Sequence, residues 1–134
     1  MSDEAEFDLS GQWSGIYNYP DRFPPNSFEA VLRDVGGRLT GTTTEQENIA
    51  GKSGTLHAVI DGQRDGASVQ FIKMYDDADE DYDVVRYNGT VAAGGDEIAG
   101  TWEVPGVWQG TFIMIRGSRA AASVERRATE KIEL

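Results

Sequence analysis

Residues 27–46 read SFEAVLRDVGGRLTGTTTEQ, and two features of this stretch decide the fold. Phe28, Ala30 and Leu32 alternate with Glu29, Val31 and Arg33, and beyond Gly36-Gly37 the alternation resumes with Leu39, Gly41 and Thr43. A period of two marks a strand with one covered face. A glycine pair between two such runs supplies the positive-φ positions that a tight hairpin requires. The pattern predicts antiparallel strands over Ser27 to Val35 and Arg38 to Gln46.

The same alternation extends in both directions. Upstream lies Gly11 to Tyr19, with Trp13, Tyr17 and Tyr19 on one parity, joined onward by the Pro-rich PDRFPPN. Downstream, the polar ENIAGKSG leads into Thr55 to Asp61, DGQRDG turns the chain into Ala67 to Tyr75, and the acidic DDADED leads to a strand near Tyr82 to Val91. AAGGD then connects to Glu97 to Val104, and Pro105-Gly106 to Val107 to Arg116. These links are too short for parallel crossovers, which need a dozen or more residues each. The expectation is an all-β, eight-stranded antiparallel up-and-down barrel over residues 11–117, since a Greek-key sandwich would need longer connections. The period then changes. In SRAAASVERRATEKIEL, Ala121, Val124, Ala128 and Ile132 share one helical face and Ser118 suits an N-cap, which predicts a C-terminal helix over 118–134. Residues 1–10 read as an acidic, flexible N-terminus.

A chain of 134 residues is one domain. Twelve Lys and Arg against 23 Asp and Glu give a net charge of −11, which argues against nucleic acid or an anionic membrane as partner. The absence of cysteine excludes a disulfide scaffold, a thiolate metal site and a cysteine nucleophile. With no apolar signal region at the N-terminus and no apolar run of 18 residues, the expected location is the cytoplasm. No motif calls for a cofactor.

Gly11-Gln12-Trp13 on the first strand resembles the Gly-x-Trp that opens the calycins, the group of lipocalins, fatty-acid-binding proteins and avidins. That resemblance implies an arginine of the last strand, here Arg116, packed over Trp13 as a structural pair. Leu39-Thr40-Gly41-Thr42 and Gly100-Thr101-Trp102 are similar to segments of the avidin and streptavidin branch, over residues 10–117. The biotin-binding residues of that branch do not carry over. Its Tyr and Ser after L-T-G-T fall at Thr43 and Glu45, its first-strand Asn and Ser near Gly15 and Tyr19, and its last-strand Asp near Arg116. Only Trp102 remains as a wall, so the resemblance implies a cup for something other than biotin.

With Trp13 inward, strand parity predicts an inner set of Phe28, Leu32, Leu39, Leu56, Ile60, Val69, Phe71, Tyr75, Ile98, Phe112 and Met114 around seven candidate ligand-binding residues: Tyr17, Tyr19, Thr43, Glu45, Lys73, Tyr87 and Trp102. Aromatic walls with a few polar groups are what small-molecule cavities use; the competing reading is a barrel filled by these same side chains. Asp77, Asp79, Asp81 and Asp83 alternate like the start of a calcium loop, but Tyr82 and Asn88 stand where a glycine and a glutamate are needed. His57 is the single histidine and is expected to be exposed. The leading function is therefore a non-enzymatic carrier or sensor of a small, largely apolar ligand. A protein-binding filled barrel is the first alternative, and a barrel isomerase or cyclase using Glu45, Lys73 or a tyrosine is the second. Val107, Ile113 and Ile115 make the outward side of the last strand apolar, so either the C-terminal helix covers it or two barrels pack there.

Overall fold

The computed structural model describes residues 8–20, 25–49, 52–75 and 84–116. Eight strands, β1 (Gly11–Asn18), β2 (Asn26–Val35), β3 (Arg38–Ile49), β4 (Lys52–Asp65), β5 (Ser68–Tyr75), β6 (Val85–Val91), β7 (Glu97–Val104) and β8 (Trp108–Arg116), each pair antiparallel with the next. β8 returns to β1, aligning Trp13 with Arg116 and Tyr17 with Phe112, and closes the barrel. The expected all-β architecture is the one observed, and a closed up-and-down barrel is consistent with a calycin-like fold. Gly36 and Gly37 have φ of 60° and 94°, the hairpin geometry that only glycine adopts at both positions without strain.

The strands differ from expectation where polar sequence was read as loop. β3 runs on to Ile49 and β4 starts at Lys52, so Glu47 pairs with Gly54 and Asn48 with Ser53 inside the expected ENIAGKSG loop. β4 likewise continues through DGQRD to pair Asp65 with Ser68, and the turn is Gly66-Ala67. A ladder is made of backbone groups, and alternate residues of a one-sided strand face water. The polarity of Asp61 and Gln63 marked a face rather than a turn. Val107 sits in the β7–β8 turn and is exposed, so it is no part of an apolar outer face. The predicted helix over 118–134, residues 1–7 and the aspartates 77, 79, 81 and 83 lie outside the described residues.

The core is the barrel interior. Trp13, Phe28, Leu32, Leu39, Ile60, Val69, Phe71, Ile98, Phe112 and Met114 are all buried there, as strand parity predicts. At one end, Trp13 Nε1 donates to the Leu9 carbonyl (2.9 Å), and the Arg116 guanidinium lies 4.9 Å from the Trp13 ring. Arg116 also donates to the carbonyls of Ser10 (3.0 Å) and Gly95 (2.9 Å) and to Asp96 Oδ1 (3.2 Å). The buried Asp34 carboxylate accepts from Leu9 N (3.0 Å), Gly37 N (3.1 Å) and Arg64 Nε (2.8 Å), pinning the segment before β1 across this end. The connections β1–β2, β3–β4, β5–β6 and β7–β8 all leave from the opposite, far end.

Candidate functional site

Antiparallel register brings together residues that are far apart in sequence. β2 sets Phe28 beside Glu45 on β3, and β4 places Ile60 beside Lys73 on β5. All these residues point inward, and they converge just below the far end. The Glu45 carboxylate, with none of its side chain exposed, accepts from Tyr17 Oη (2.5 Å), Asn26 Nδ2 (2.9 Å), Tyr75 Oη (2.8 Å) and Lys73 Nζ (3.2 Å). Asn26 Nδ2 donates to Tyr17 Oη as well (2.9 Å).

The Lys73 ammonium, 2% exposed, is boxed by rings: Tyr17 at 4.6 Å, Tyr75 at 5.0 Å, Tyr87 at 5.4 Å and Phe28 at 5.5 Å. Such contacts favour a cation by about 0.5 to 2 kcal/mol each. Tyr87 stacks on Phe71 (4.8 Å, 10° between planes), which holds it in place.

Between this cluster and the far end lies a second aromatic group. Tyr19 meets Trp108 (4.9 Å), Tyr17 (5.3 Å) and Trp102 (5.5 Å), and Trp102 Nε1 donates to the Asn18 carbonyl (3.0 Å). Gly110 on β8 leaves room for the indole: a Cβ there would sit 1.9 Å from the Asn18 carbonyl oxygen and 2.7 Å from Trp102 Nε1. Gly110→Ala should therefore cost about 1 to 3 kcal/mol in chemical denaturation, as overpacking does, and should change the tryptophan emission.

The seven candidate residues all lie inside the barrel. Tyr17, Glu45, Lys73 and Tyr87 form the polar cluster, and Tyr19 and Trp102 belong to the aromatic group beside it. Thr43 is apart: two residues from Glu45 on β3, it is buried between Ala30 and Ala58 on the neighbouring strands, and its hydroxyl has no hydrogen-bond partner among the described residues. Sequence reasoning missed Asn26, which was assigned to the PDRFPPN connection, and Trp108. Both were legible from parity, since Asn26 extends the Phe28, Ala30, Leu32 series and Trp108 the Gly110, Phe112, Met114 series. His57 is exposed, and no group of three or more metal-ligating side chains comes together among the described residues.

Protonation follows from burial and neighbours. Burial raises the Tyr17 phenol above its usual 10.0, and Tyr75, Glu45 and Tyr19 add to the shift. Burial also raises Tyr75 and Tyr87, more strongly than Lys73 lowers them. Burial works against the Lys73 charge, yet Tyr87, Tyr75 and Glu45 together hold the ammonium above its ordinary 10.5. The contribution of Lys73 is then complete below pH 10.5 and is lost as pH climbs through the higher folded value. The unfolded chain releases its phenolic protons from about pH 10 while the folded one keeps those of Tyr17, Tyr75 and Tyr87, so stability falls with pH there as well. Titration with base should leave these three phenols un-ionised until the barrel unfolds. Tyrosinate absorbance from them before the loss of strand circular dichroism would contradict this.

No family model and no curated protein matches the chain.

Proposed function

We propose that the protein is a non-enzymatic barrel that binds a small, largely apolar molecule at its far end, against Tyr19, Trp102 and Trp108, with the Tyr17–Glu45–Lys73 cluster as its polar floor. The observation that carries this reading is the buried Lys73–Glu45 pair. A barrel evolved only to be filled gains nothing from it, because apolar side chains of similar volume are often as stabilising or more so. A binding site does gain, since a few fixed polar groups among aromatic walls orient a ligand. The cluster lends less support to catalysis, since burial and neighbours shift Tyr17, Tyr75 and Tyr87 upward and the groups around Lys73 shift it upward too, away from the neutral range in which a general acid or base works best.

The test is a thermal-shift screen of hydrophobic small molecules, read together with tryptophan quenching. A ligand at 100 times its dissociation constant stabilises by about 2.7 kcal/mol, which is several degrees in a domain of this size. The expected hit raises the melting temperature and quenches Trp102 and Trp108, and Tyr19→Ala, partly exposed in the native chain, weakens both responses. A broad screen without a hit would favour the protein-binding reading. That alternative is supported by an outer groove of about 560 Å³, lined by Arg38, Asp61, Gln63, Gln70, Arg86 and Asn88 among others.

A further inference from the structure

Outward residues of one barrel should be similarly wet, and here they are not. On β2 and β4, Val31 and Val59 face outward and are 50% and 36% exposed. On β1 and β8, Ile16 and Ile113 occupy outward positions too, yet they are 5% and 1% exposed. They pair with one another across β1 and β8, Ile113 also pairs with Ala99 on β7, and Ile115 completes the cluster. The outward Ser14 beside Ile115 is buried as well. Among the described residues there is one barrel and no second layer over this face. Neighbours within the same sheet cannot hide a side chain from above, so the burial of Ile16, Ile113 and Ser14 calls for a cover over this face.

We infer that the C-terminal segment, residues 118–134, packs as an amphipathic helix across the outer face of β1, β8 and β7, with Ala121, Val124, Ala128 and Ile132 against Ile16, Ile113, Ala99 and Ile115. Three further observations select this segment. β8 ends at Arg116, so the chain emerges directly beside Ile115, whereas residues 21–24, 50–51 and 76–83 connect strands at the far end. Seventeen residues of helix span about 25 Å, close to the roughly 30 Å of a nine-residue strand. Finally, the segment carries Arg119, Arg126, Arg127 and Lys131 against Glu125, Glu130 and Glu133, a net positive stretch on a chain of net charge −11. Glu29 and Glu97 flank the apolar patch, paired through Ser14 and Ile115. Residues 1–7 are a poorer cover, with three acids and no helical apolar series.

The chain has no cysteine, so disulfide trapping can be read without background. Ala99→Cys would be combined in turn with Ala121→Cys, Val124→Cys, Ala128→Cys and, as the opposite helical face, Arg126→Cys. The inference predicts an intramolecular disulfide, in protein that sediments as a monomer, for at least one of the first three pairs and not for the fourth. In the single variants, Val124→Asp should lower the melting temperature by at least about 5 °C, and Arg126→Asp should leave it near that of the native chain. Failure of all three pairs to cross-link would overturn the inference. So would cross-links found only between chains, which would give the face to a second copy, or a Val124→Asp variant as stable as the native protein.

Discussion

Lys73→Met should destabilise the barrel by about 3 to 5 kcal/mol, because it leaves the Glu45 carboxylate buried without its counter-charge. Methionine keeps most of the volume, so the loss measures charge rather than a cavity. Adding Glu45→Gln should recover most of it. The amide oxygen can still accept from Tyr17 and Asn26, and the buried site is neutral again. Urea denaturation of the two single variants and the double one forms a cycle whose coupling term should be large, since the side chains are 3.2 Å apart and share Tyr75. A Lys73→Met variant within 1 kcal/mol of the native protein would overturn the view that the ammonium is needed beside the buried Glu45 carboxylate. If the double variant is as stable as the native chain and no longer responds to a ligand, the pair serves binding rather than folding.

That cluster could be assembled only in part from the sequence. Parity placed Tyr17, Glu45, Lys73 and Tyr87 inside, because a one-residue slip would have turned Leu32, Leu39 and Phe71 out into water. Parity does not say which inward residues stand at the same height. Tyr17 and Glu45 meet across 28 positions, as do Glu45 and Lys73, through registers that depend on where each hairpin turns. Two of those turns were misplaced in the reading, at 47–54 and 61–66, so the convergence of four donors on one carboxylate was not legible. The dry outer face was visible only as an excess of apolar residues at Ile113 and Ile115. Ile16 was missed, because alternation on β1 is read from its aromatic side, where a lone outward isoleucine carries no period of its own.

Trp13→Ala tests the opposite end and should have an effect of the same size, about 3 to 5 kcal/mol, as large-to-small core substitutions do. The indole is almost fully buried, and its removal also leaves the Leu9 carbonyl without the hydrogen bond from Nε1. Leu9 would then lose the group it packs against, and the contacts of Asp34 with Leu9 and Arg64 would be left to hold this end. Arg116→Ala should cost less. Its stacking on Trp13 contributes about 0.5 to 2 kcal/mol, and its bonds to Ser10 and Asp96 are reachable by water. The two losses should be less than additive in the double variant, because either one removes the shared stacking term. Trp13 stands on the same strand as Tyr17 but at the other end of the barrel, so Trp13→Phe should keep any ligand response while losing part of the stability. If Trp13→Ala left the denaturation midpoint unchanged and abolished binding, the tryptophan would belong to the site, and the polar floor would have to be sought at this end.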